Sequence, residues 1–208
     1  MAMNVSFLIR TAWIAHDEVR RTLGRVSTLS VLLEVGRRNA LGHPFRHAPP
    51  PSDEQEAATR NELAPAINLY HVLRDRLGES RAFDVARRVI LNSSLLHLRS
   101  IYPDFPRDSF TALVAGGRDE ASRRLATDFA FADTEVLEIS DTRAAFDVVA
   151  CRIPGVLEFA GAERLAPIFC EVDELYFLIY EPHVRLERAG TIVGGSERCP
   201  FRLTWRDG

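Results

Sequence analysis

The chain contains no lysine: every one of its 26 lysine-plus-arginine positions is arginine. That absence removes lysine Schiff bases, a pyridoxal-phosphate anchor and the phosphate loop that ends in Gly-Lys-Ser/Thr. A substrate carboxylate would fall to arginine, whose planar fork can grip it with two bonds. Cysteine is missing from the whole stretch before Cys151, and then appears only as Cys151, Cys170 and Cys199. An odd number of thiols without a close pair suits a reducing, cytoplasmic compartment. Long apolar runs are also lacking, and nothing approaches the ~20 residues of a membrane span. The patch from Met1 to Ala15 is interrupted by Arg10 and has no basic leader, against a secretory signal. A net charge of -3 offers no basic face for nucleic acid.

What is present is the balance of an ordinary globular protein, 46% hydrophobic and 26% charged. At 208 residues the chain fills one core, so residues 1–208 read as a single domain. Residues 1–132 form its helical part and 133–208 its α+β part. Helical spacing runs from Ile14 to Leu41, with Gly42 as a stop. A Pro-rich loop from His43 to Pro51 precedes a helix capped by Ser52 or Asp53 that reaches Leu77, with Pro65 expected to break or kink it and Gly78 beyond its end. A third helix covers Arg81 to Leu98. Pro103 and Pro106 punctuate a loop, and shorter helices are expected near Phe110–Val114 and Glu120–Phe129.

The period then changes. Glu135–Ile139 and Phe146–Cys151 alternate as strands around a turn at Ser140-Asp141-Thr142, and Pro154 closes the second. Ala162–Tyr180 reads as an amphipathic helix, kinked at Pro167 or beginning there. Val184–Val193 and Cys199–Trp205 then pair as a hairpin about Gly194-Gly195-Ser196. Helices first and then β-β-α-β-β predict an α+β fold with a mainly antiparallel sheet packed on the helical half. The N-terminal helix could pair two copies into a homodimer.

Chemistry concentrates in the last third. Cys170-Glu171-Val172-Asp173 sets a thiol and a carboxylate three residues apart, on one face of a helix. That pairing suits a thiolate nucleophile served by a proton-handling carboxylate. Asp173 alone would disfavour the thiolate. Either an arginine (Arg185, Arg188 or Arg202) offsets it, or Asp173 is protonated and acts as an acid. Cys199, after the glycine turn, is the second thiol of the candidate site, and Cys151 reads more readily as structural. The histidines form no dyad, and His183 stands nearest the motifs. Zinc sites bring ligands in close pairs such as C-x₂-C, and there is none. Arg87-Arg88 and Arg123-Arg124 read as solvated faces.

These motifs resemble the L-2-amino-thiazoline-4-carboxylic acid hydrolases. The resemblance runs through Phe146-x-Val148-x-x-Cys151, Cys170-Glu171-x-Asp173, Arg188-x-x-Thr191 and Gly195-x-x-x-Cys199-x-Phe201, about the last 65 residues. It implies a cofactor-free hydrolase that opens a C–N or C–S bond of a small carboxylate-bearing heterocycle, in the type case giving N-carbamoyl-cysteine. It also implies Cys170, Asp173 and Cys199 as the acting groups, with Arg188, Arg202, Thr191 and Cys151 toward the substrate. Cys170 is the preferred attacking sulfur, with Cys199 as the alternative. The same C-terminal pattern is similar to 4-vinyl-reductase-like domains, which implies a non-catalytic small-ligand-binding or sensory module.

Overall fold

In the computed structural model, residues 5–101, 115–180 and 183–206 are described. Three long helices come first, α1 (Val5–Ala40), α2 (Glu54–Leu77) and α3 (Glu79–Ile101), and a shorter α4 (Gly117–Asp128) follows. The helix expected near Phe110–Val114 lies outside the described residues. α1 starts before Ile14 and is kinked at Gly24, whose φ of 75° and ψ of 172° are not helical. Only glycine takes that backbone without strain. α2 is capped by Asp53, whose Oδ1 accepts the Glu56 amide at 2.6 Å. Glu56 reaches back to the Ser52 amide at 2.8 Å, so each side chain satisfies an end amide. Pro65 lies within α2 and does not end it. One forfeited backbone bond is outweighed by burial of Leu63, Ile67, Leu69, Tyr70 and Leu73 from the same helix.

The remaining chain forms β1 (Ala132–Ile139), β2 (Arg143–Cys151), α5 (Ile153–Phe159), a 3₁₀ turn (Glu163–Leu165), α6 (Ala166–Tyr180), β3 (Val184–Glu187) and β4 (Cys199–Trp205). The sheet is antiparallel throughout, in the order β1-β2-β4-β3. This is the α+β architecture the sequence pattern predicts, a helical N-terminal region packed against a C-terminal antiparallel sheet. The short α5 was not expected. Its Pro154 and Gly155 look like a break, yet Pro154 occupies the first turn, where a missing amide costs nothing. Pro167 does the same in α6, which therefore begins at Ala166 and not at Ala162.

Two hydrophobic clusters meet across the molecule. One joins α1–α3 to α5 and α6; the other joins α4 and Tyr176 of α6 to the inner sheet face, with Cys151 packed against both. Val148, Phe146 and Ala144 of β2 stand opposite Cys199, Phe201 and Leu203 of β4, and all six are buried on the helix-facing side. α3 and α6 are pinned together by Arg87, which donates to Glu171 through Nε at 3.0 Å and through a second nitrogen. Arg88 likewise bonds Glu18 at 2.9 Å. The Arg87-Arg88 pair thus bridges helices, where a solvated face was expected, because each finds a carboxylate on a neighbouring helix. Ile168, 2% exposed, seats α6 in the helical core. Ile168→Ala is expected to cost about 3 kcal/mol in a denaturant titration.

Candidate active site

The β3–β4 connection is where sequence and structure differ most. β3 was expected to continue to Val193, but it ends at Glu187. The next residue, Arg188, turns inward and is almost wholly buried, its side chain 3% exposed. It donates to Asp173 Oδ2 at 3.0 Å, to the Cys170 carbonyl at 2.7 Å and to Glu174 Oε1 at 2.8 Å. Its guanidinium lies 5.2 Å from the centre of the Phe201 ring. The ladder with β4 stops at the residue before Arg188. The chain beyond it closes a compact turn, in which Gly194 and Ser196 amides both donate to the Thr191 carbonyl at 3.0 Å.

That turn holds both motif sulfurs. The Ile192 amide donates to Cys199 Sγ at 3.1 Å. The Thr191 hydroxyl is hydrogen bonded to the Cys170 thiol and also accepts the Gly194 amide at 3.0 Å. Two consecutive residues therefore secure one sulfur each, one from α6 and one from β4. Cys170 and Cys151 are half-buried and Cys199 is buried. All three lie on the helix side of the sheet, close enough that Cys199 acts on the ionisation of both others. The Ile153 amide bonds Cys151, which sits at the end of β2 and borders the group.

The electrostatics divide the site. Burial pushes the Cys170 thiol up to about 11; Arg188 opposes the rise and Asp173 adds to it. Burial likewise raises Cys151 to about 11. Burial lifts the Asp173 carboxyl to about 6, against the pull of Arg188. Of the arginines that could offset Asp173, the structure therefore brings Arg188. Its Nε has no hydrogen-bond partner among the described residues, so a donor is left over inside the site. A buried unmet donor is costly, typically ~1–3 kcal/mol.

Three candidates fall elsewhere. Arg202 alternates with Cys199 and Phe201 along β4 and so points to the other face of the sheet. There it pairs with Asp147 at 2.7 Å, joined by Arg198 at 3.0 Å. Burial raises Asp147, yet the two arginines win and hold it below the usual carboxylate range. His183 is exposed and stacks on Trp205, at the opposite end of β4 from Cys199. Six residue steps of strand separate those ends, roughly 20 Å. Arg185 pairs with Glu187 on β3. Among the described residues no group of three His, Cys, Asp or Glu side chains could hold a metal ion. No helix among them is long and apolar enough to cross a membrane. Sequence reasoning singled out neither the Ile192 amide, which carries no side-chain signal, nor Glu174, the third partner of Arg188.

Arg188 also lines a cleft of about 410 Å³ between α6 and β3, walled by Leu175, Phe177, Leu178 and Leu186 with Glu171 and Glu174. The cysteines stand outside its lining.

This is an α+β scaffold that gathers thiols, a carboxyl of shifted acidity and a buried arginine beside a cleft. Residues 58–203 match the family model described as L-2-amino-thiazoline-4-carboxylic acid hydrolase. That span is well over half of the chain and includes every site residue, and the chain belongs to this family. None of the curated proteins compared matches it. An H-NOX domain from Shewanella oneidensis, solved by NMR in its Fe(II)CO ligation state, is 12% identical over 86% of this chain and 98% of that one. The TM-score of 0.34 is too low to carry an argument.

Proposed function

We propose that the chain is a cysteine-dependent hydrolase that opens the ring of a small, carboxylate-bearing thiazoline or cyclic amidine. The reading rests chiefly on one observation: consecutive residues, Thr191 and Ile192, hold the two motif sulfurs beside the Asp173–Arg188 pair. Cys199 is the nucleophile in this scheme, because an amide N–H aimed at its sulfur stabilises negative charge there. It adds to the amidine carbon, the ring C–S bond breaks, and the departing sulfur takes a proton from Cys170. Burial keeps the Cys170 thiol protonated at neutral pH, which fits a donor. Asp173 then accepts a proton from water as the water attacks the same carbon. Cys199 leaves as the thiolate that attacked, Asp173 passes its proton back to the Cys170 thiolate beside it, and the product carries a ureido group and a free thiol. Arg188 holds Asp173 in place. A small molecule would approach through the cleft that Arg188 shares with Glu174, whose side chain is 63% exposed. All these groups come from a single chain.

The assay is release of a new thiol from 2-amino-thiazoline-4-carboxylate. As a base, Asp173 must be ionised, so kcat/KM is expected to rise with pH through about 6. Asp173→Asn should lower it ~10²–10⁴-fold and erase that limb. Binding of the compound with no thiol released, together with uniformly slow iodoacetamide labelling of all three cysteines, would favour instead the non-catalytic module similar to 4-vinyl-reductase-like domains.

A further inference from the structure

The half of α1 that follows the Gly24 kink buries one side and leaves the other bare. Thr28 and Val31 are fully buried against the helical core. On the opposite side, Val26, Leu29 and Leu33 are 88%, 62% and 65% exposed. The same stripe continues through exposed Gly36 and Ala40. The spacing is three, four, three and four, which is the seam of a paired helix. A groove of about 480 Å³ runs along it, completed by Arg76 of α2, which is anchored to Ser30 at 2.9 Å. An apolar side chain from another molecule would be desolvated there.

The order of sizes along the stripe identifies the occupant. Bulky residues fill its first half and small ones its second. We propose that the occupant is a second copy of this chain, whose α1 lies antiparallel on the first about a two-fold axis. Leu33 of each copy then seats over Gly36 of the other, and Leu29 over Ala40. A parallel pairing would set Leu33 on Leu33 and leave a void between the two Gly36 positions, and voids forfeit contacts. Charge agrees with the antiparallel choice. Glu34 and Arg37 rim the stripe one turn apart with opposite signs, so the two-fold brings Glu34 of each copy toward Arg37 of the other. The stripe lies outside residues 58–203, and the inference does not depend on the chemistry of the cysteine site.

Sedimentation velocity of the full chain, up to on the order of 100 µM, is the test. The wild type is expected to dimerise, and Leu33→Glu should raise the dimer Kd at least ~30-fold. Gly36→Leu is the sharper variant. Nothing lies within 4 Å of a Cβ built there, so the monomer accommodates leucine and gains helix propensity. The antiparallel dimer cannot accommodate it. Thermal stability measured at low concentration should hold or rise while the dimer weakens at least ~10-fold. A chain that stays monomeric throughout overturns the proposal, as does a dimer indifferent to Leu33→Glu. Tighter association of Gly36→Leu would show a stripe that sticks generically and would overturn the seating.

Discussion

Cys199→Ser is expected to lose at least ~10³-fold in kcat for thiol release while keeping the wild-type thermal transition. Serine nearly matches the volume of cysteine and can still accept the Ile192 amide, so the 3.1 Å contact has a substitute and the turn should stay closed. It cannot supply a thiolate, because a hydroxyl stays protonated in the absence of a strong base beside it. Cys170→Ser is the informative companion. A hydroxyl in its place can hydrogen bond the leaving sulfur but does not give up its proton, so the general-acid contribution is lost, ~10²-fold, a milder effect than loss of the nucleophile. Reversal of the two effects, with Cys170→Ser the dead variant, would exchange the roles of the sulfurs. Full turnover in both single variants would remove covalent catalysis.

Arg188→Met should have the largest effect on stability. The side chain is 3% exposed and makes three polar contacts that tie β3's end to α6. Methionine fills much of the space but leaves Asp173 without its cation. Breaking a buried pair in this way costs about 3–5 kcal/mol, roughly 10 °C in Tm for a chain of this size. The loss should depend on pH with a definite sign. The folded Asp173 sits at about 6, above its ordinary 3.8. Its stabilising contribution is therefore complete below the ordinary value and is lost as pH rises through about 6. Without Arg188 the ionised carboxyl is less tolerated still, so the variant should be closer to wild type at pH 4 than at pH 8. The activity limb should move above 6 as well. A destabilisation independent of pH would mean that Arg188 acts through packing on Phe201 and not through Asp173.

Much of this molecule can be read from residue order, and the parts that cannot share a cause. Helix limits near Asp53, Leu77 and Gly78 follow from caps, which are local. The strands β1, β2 and β4 follow from alternation, and the Cys170–Asp173 pair from helical spacing. Apart from the short α5, whose Pro154 sits in a first turn, the failures are places where a tertiary contact overrode a local signal. Val184–Val193 alternates well enough to be a strand throughout, yet the ladder stops at Glu187, where the Arg188 side chain meets Asp173, Glu174 and the Cys170 carbonyl and the chain turns. Arg202 and Arg188 look equivalent in sequence; the parity of their positions relative to Cys199, and the opposite face Asp147 occupies, decide which one meets the site. Pro65 should interrupt a helix, but the apolar residues around it keep α2 in one piece.

The Thr191–Cys199 turn works like a caliper with two fixed jaws. Insert a residue between Arg188 and Thr191, and the jaws rotate out of phase with both α6 and β4. Add residues at Gly195, Ser196 or Glu197 instead, on the exposed outer rim, and neither jaw need move. Diversification of such a scaffold therefore has a natural outlet at that rim, where length and side chains can drift while the gap between the sulfurs stays set.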